Sequence, residues 1–134
     1  MNKKTIFLAG PMKGVHRPLA LAWRENAEKL LASNFIILHA MRGREEAETF
    51  TDYRAAIARD KLDIISADII LVNDSFEGVS MIGTAMETIF AFERNKIIIV
   101  FGQAHKDDYW LNYHLHTRCN DLNTACIYLN ELFK

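Results

Sequence analysis

The chain alternates between compact apolar runs and longer stretches in which apolar residues recur every three or four positions. Thr5-Ile6-Phe7-Leu8-Ala9 is apolar almost throughout and stops at Gly10-Pro11, a turn signal, so it predicts a buried strand. Residues 17–33 predict a helix, with Leu19, Trp23, Ala27, Leu30 and Leu31 on one side and Glu25, Glu28 and Lys29 on the other. Phe35-Ile36-Ile37-Leu38 predicts a second buried strand. Residues 41–50 are charged and weakly patterned, as in a loop or short helix. Thr51 or Asp52 stands where a helix over 53–66 needs its cap, and Ala56, Ile57, Leu62, Ile64 and Ile65 supply its apolar face. Asp68-Ile69-Ile70-Leu71-Val72-Asn73 is the third strand, followed by a turn-rich stretch. A helix over 82–94 carries Ala85, Met86, Ile89, Phe90 and Phe92. Residues 96–101 form the fourth strand, closed by Gly102. Residues 103–120 are polar and aromatic with no clear period. Asp121 then heads a last helix bearing Leu122, Ala125, Cys126, Leu129 and Leu132.

Near-continuously apolar strands alternating with helices argue for a parallel sheet covered on both faces. At 134 residues the chain suits one domain, 1–134. The expected class is α/β, a single flavodoxin-like (Rossmann-like) doubly wound parallel sheet of order 2-1-3-4, with room for a short fifth strand. Such sheets bind ligands outside the carboxyl ends of the strands where the order reverses. That point lies between the first and third strands, which directs attention to the loops after Ala9 and after Asn73.

Composition narrows the partners. Sixteen Lys+Arg against seventeen Asp+Glu give a formal charge of −1. No global positive field draws the chain to polymeric nucleic acid or to an anionic membrane. The longest apolar runs fall well short of the ~20 residues of a membrane span. The first residues hold no apolar signal core or small-residue cleavage site. Cys119 and Cys126 match no metal or redox spacing and read as free thiols, so a cytoplasmic location is expected. His16, His39, His105, His114 and His116 are scattered, so neither metal nor cofactor is expected.

Four features converge on the crevice, and each has a plainer reading. Ala9-Gly10-Pro11-Met12-Lys13-Gly14 could bring backbone N–H groups to an anion, with Lys13, His16 and Arg17 adding charge, or could be only a tight turn. It lacks the Gly-Lys-Ser/Thr ending of a P-loop. Asp60, midway along its helix, either faces inward or is a solvated carboxylate between Arg59 and Lys61. Asn73-Asp74 at the end of the third strand either binds sugar hydroxyls or starts a turn. In Gly78-Val79-Ser80-Met81-Ile82-Gly83-Thr84-Ala85-Met86-Glu87 a glycine-rich loop opens a helix. A helix N-terminus would stabilise an ionised Glu87, fit to attack an anomeric carbon; the alternative is a surface glutamate that complements the dipole. Together the four fit a small polar ligand carrying a sugar.

These residues resemble the nucleoside 2-deoxyribosyltransferase family, which includes the 2′-deoxynucleoside 5′-monophosphate N-hydrolases. The resemblance covers most of the chain, in three blocks: Lys4 to Pro11, Asp60 to Asn73, and Gly83 to Glu87 with Ala91 following. The segment Tyr109-Trp110-Leu111-Asn112-Tyr113-His114 is similar to one in short bacterial and phage members. The resemblance implies that Glu87 attacks C1′ and forms a glycosyl-enzyme intermediate, and that Asp60 aids proton transfer to the leaving base. It implies substrate contacts from Phe7, Gly10, Pro11, Met12, Lys13, Asn73, Ser80, Gly83 and Thr84. It further implies a homo-oligomer, a dimer or higher, with Asn112 or His114 contributed to a neighbouring subunit's site. Phe7 stands where many members have Tyr. Ser80 lies seven residues before Glu87, whereas the family's polar residue lies six before, where this chain has Met81. The C-terminal part matches loosely.

Three activities follow. The first is cleavage of the N-glycosidic bond of a (deoxy)nucleoside and transfer of the 2-deoxyribosyl group to another free nucleobase. The second is hydrolysis of 2′-deoxynucleoside 5′-monophosphates, favoured by Lys13, His16, Arg17 and Ser80. The third is a non-catalytic nucleotide-binding module, favoured by the tyrosine hydroxyl missing at Phe7. Residues 41–51 are a candidate cover over the site.

Overall fold

The computed structural model describes residues 2–43 and 52–133. Most of the candidate cover therefore lies outside the described residues. The elements are β1 (Lys4–Ala9), α1 (Arg17–Leu31), β2 (Phe35–His39), α2 (Tyr53–Ser66), β3 (Ile69–Asn73), α3 (Ile82–Phe92), β4 (Ile97–Phe101), α4 (Tyr109–Tyr113), β5 (Thr117–Cys119) and α5 (Leu122–Leu132). The five strands form one sheet of order β2-β1-β3-β4-β5, every pair parallel. This is the expected flavodoxin-like order, with the short fifth strand at the edge.

The sheet divides two apolar layers. Ile6, Leu8, Ile69, Leu71 and Ile99 point toward Trp23, Ala27 and Leu31 of α1 and Ala125, Cys126 and Leu129 of α5. Phe7, Ala9, Ile70, Val72, Ile98 and Val100 point the other way, where Ile64 of α2 and Ala91 of α3 meet them. The period of two along each strand explains the division. Asp52 and Asp121 accept from the N–H groups of Ala55 (3.1 Å) and Thr124 (2.8 Å), capping α2 and α5. Both cysteines are buried free thiols.

The helices are rotated from the expected faces. Leu19 is 56% exposed and Leu30 is also at the surface, while the buried stripe of α1 is Ala20, Trp23, Arg24, Ala27 and Leu31. On α2, Ile57, Leu62 and Ile65 are exposed, and Asp63 and Ile64 are buried. On α3, Thr84, Thr88 and Ala91 face inward and Met86 outward. On α3 the small inward residues let the helix lie close to the sheet, and the larger Met86 is left at the flank.

The stretch 103–120 resolves into α4 and β5. A buried polar network holds it. Asp74, fully buried, accepts from His105 N–H (3.0 Å) and Arg118 Nη1 (2.8 Å), and its other oxygen lies 2.6 Å from His105 Nδ1. Arg118 also donates to the Gly102 carbonyl (2.7 Å). Among the described residues no helix is long and apolar enough to cross a membrane.

Candidate functional site

β1 and β3 are neighbours, while the chain leaves β1 toward β2 on one side and β3 toward β4 on the other. The carboxyl ends of β1 and β3 therefore open the crevice. The first wall is Gly10. A Cβ there would lie 2.8 Å from Trp23 Cζ2 and 3.2 Å from Asn73 Cβ, so only glycine lets the turn settle between the α1 indole and the end of β3. Trp23 is fixed from behind by an edge contact with Phe101, ring centroids 5.6 Å apart.

Asn73 is buried, and its Oδ1 accepts from Ser75 N–H (2.9 Å) and Ser75 Oγ (2.5 Å). The turn-forming reading of Asn73 is thus realised: its oxygen closes the turn out of β3. The next loop lies alongside the first, since a Cβ on Gly14 would meet Val79 Cγ1 at 3.6 Å. Lys13 and Ser80 are exposed on these two loops, and Ser80 Oγ accepts from Ile82 N–H (3.4 Å) at the entry to α3.

The titratable centre is built from three helices. Glu87 projects from α3, Asp60 from α2 and Arg24 from α1, and their charges act on one another. Glu87 keeps some exposure as a residue, but its carboxyl group is enclosed by protein. Burial first, and the negative charge of Asp60 second, push its pKa up to about 8, against the pull of Arg24. The helix N-terminus does not keep Glu87 ionised, contrary to the expectation above. Glu87 is the sixth residue of α3, beyond the first turn where the dipole acts, and desolvation dominates. Asp60 Oδ1 is closed off from solvent, so the solvated-surface reading of Asp60 does not hold.

Arg24 is the residue that sequence reasoning missed. It is 1% exposed, and burial lowers its pKa to about 10, which leaves it charged at neutral pH. Its signal was positional: Arg24 falls four residues after Ala20 and three before Ala27, on the stripe that the sheet covers.

The other expected contacts differ in their exposure. Phe7 and Thr84 are buried, Phe7 in the core beside α2 and α3, and neither offers surface to a ligand. Pro11 is buried and Met12 half-buried on the first loop, whereas Gly83 is exposed with open space where a Cβ would stand. Asn112 bonds within its own chain, to the Lys106 carbonyl (2.8 Å) and from Arg118 Nη2 (3.2 Å). His114 is buried, with Nδ1 2.7 Å from the Trp110 carbonyl and its ring against Phe92. Tyr109, Trp110, Tyr113 and His114 line an open groove of about 410 Å³ at the far end of α3, away from the crevice loops.

No protein-family model matches the sequence, and no curated protein matches it. Solved structures do. A 2-deoxyribosyltransferase from the psychrotolerant bacterium Bacillus psychrosaccharolyticus superposes with a TM-score of 0.70 at 19% identity, over 89% of this chain and 88% of that one. The Clostridium botulinum CMP N-glycosidase BcmB gives 0.67 at 16%, over 96% and 99%. A molybdenum cofactor binding protein from Rippkaea orientalis gives 0.61 at 14%, over 98% of both chains. At such identities the likeness establishes the fold, which unrelated ligands share.

Proposed function

We propose that this protein breaks the N-glycosidic bond of a small (deoxy)nucleoside or nucleotide through a covalent glycosyl intermediate on Glu87, and passes the 2-deoxyribosyl group to a second nucleobase. The observation that carries this is the pair of carboxyls, Glu87 and Asp60, close enough to act on one buried guanidinium that is bonded to Gly10 of the first crevice loop. Two enclosed acids beside one cation do not both ionise freely, and burial with the neighbouring Asp60 charge favours a proton on Glu87. The reaction needs that proton. As the Glu87 carboxylate forms its bond to C1′, the C1′–N bond breaks, its electrons pass to the base nitrogen, and a proton relayed through Asp60 neutralises the base. The ester formed with Glu87 is resolved in reverse: a nitrogen of the incoming base bonds to C1′, the C1′–O bond breaks and restores the carboxylate, and the nitrogen's proton passes back through Asp60 to the carboxyl pair. The likeness to the two glycosyl-bond enzymes supports the reading.

The nearest alternative has water as acceptor and a 5′-monophosphate as substrate. It is favoured by the exposed Lys13 and Ser80 on two adjoining loops. The same proposal includes self-association, supported by exposed Ile57, Leu62 and Ile65 on α2 and Ile82 and Met86 on α3. It also includes a cytoplasmic home, which suits two buried free thiols.

One assay separates the activities. Deoxynucleosides and deoxynucleotides are incubated with and without a second free base, and base release is followed by chromatography. Exchange that needs the second base is the expected result; release from monophosphates without it establishes the hydrolase. Glu87→Ala should lower turnover by at least about 10³-fold, as loss of a nucleophile does. Ligand binding without turnover, unchanged by Glu87→Ala, would establish a binding module instead.

A further inference from the structure

We propose that Arg24 is a positioning residue for this site: from α1 it holds the Gly10 turn in place and presents its buried charge to the Glu87–Asp60 pair. Arginine is almost never fully buried unless partnered, because a desolvated charge costs several kcal/mol. Here Nη1 donates to the Ala20 carbonyl (2.7 Å) and Nη2 to the Gly10 carbonyl (2.9 Å). The guanidinium lies over the Trp23 ring, 4.6 Å from its centroid. Neutral carbonyls and a ring face do not balance a unit charge. Nε, also buried, has no acceptor among the described residues. The compensating field comes from Glu87 and Asp60, both of which favour the charged guanidinium.

The mechanical part follows from Gly10. Its backbone is clamped between Trp23 and Asn73, and its carbonyl is pinned by the residue next to that tryptophan. Two adjacent residues of α1 thus fix where the first crevice loop lies. The electrical part follows from the charges around α3. Arg24 on α1 and Asp60 on α2 are the groups acting on Glu87. Five neighbouring charges are engaged elsewhere. Lys61 Nζ lies 5.0 Å from the Phe90 ring centroid, Arg94 stacks on the same ring, Asp63 pairs with Arg42, Arg59 donates to the Ala40 carbonyl, and Lys96 donates to the Ile65 carbonyl.

The proposal rests on Glu87 and Asp60 being the working carboxyls, so its deciding readout is taken without substrate. The Glu87 side-chain carbon is followed by carbon-13 NMR across pH in the ligand-free protein, assigned by its loss in Glu87→Gln. In Arg24→Met the midpoint should rise by about one unit or more, as expected when an opposite charge is removed. Arg24→Lys should return most of that shift while raising KM more than it lowers kcat, since an ammonium cannot span both carbonyls. If Arg24→Met does not fold, Arg24→Gln replaces it. A folded neutral variant with an unchanged midpoint overturns the proposal, and so does failure of all three variants to fold, which makes the role structural alone. A shifted midpoint in a protein that turns over no nucleoside sustains the role of Arg24 and removes the glycosyl-transfer reading instead.

Discussion

A carboxyl group whose pKa stands near 8 in the fold and near 4.5 in the open chain makes stability depend on pH. Between those values the folded protein holds a proton that the unfolded chain has released. The contribution is therefore complete below the unfolded value and is lost as pH rises through the folded one. Glu87→Gln carries no such proton. Its stability relative to the wild type should grow between pH 5 and pH 8 by at least ~1 kcal/mol, about 3–5 °C in Tm for a chain of this size. Parallel thermal scans at the two pH values check this; curves that keep a constant separation would refute the burial of the Glu87 carboxyl. At this scale the sequence was legible where residue type and place agreed. Glu87 and Asp60 could be singled out because a predicted switch point gave them a common destination. Arg24 could not, since a charged residue in a helix rich in Glu and Lys reads as surface until the sheet shows which stripe it covers.

The strands and long helices were legible because each carries its own period. The stretch 103–120 was not. α4 has five residues and β5 three, too few to show a period, and both are placed by partners far along the chain. Asp74 at the end of β3 reaches His105 and Arg118, and Gly102 N–H donates to the Cys119 carbonyl (3.0 Å). Gly102 shows how tight that corner is: its φ is +99°, and a Cβ would stand 2.5 Å from the Asp74 carbonyl. Gly102→Ala meets both backbone strain and a backbone clash, so a loss of about 3 kcal/mol or more is expected. Chemical denaturation measures it. A loss under ~1 kcal/mol would mean that the β3–β4 corner gives way easily.

For the whole molecule, the described residues build one sheet and its covering helices, with the crevice bounded by loops and helix flanks. The apolar side chains displaced outward on α2 and α3 need a cover, and the proposed cover is a second copy of the same face. Light scattering during gel filtration should report a dimer or larger assembly. Met86→Glu, at an exposed helical position, should move it toward monomer at low micromolar concentration. A wild type that runs as a monomer would sink the proposal.

The meeting of α1, α2 and α3 at one proton has a consequence for how the molecule comes into being. Arg24, Asp60 and Glu87 are distant in the chain, and no single hairpin or βαβ unit contains all three. Bringing them together needs all three helices docked on the sheet, which local helix formation does not supply. The raised pKa of Glu87 is therefore absent from forms that hold helix without the packed sheet. Proton uptake at pH 7 during refolding should trail the recovery of helix, a clock that starts only when the crevice has closed around its carboxyl pair.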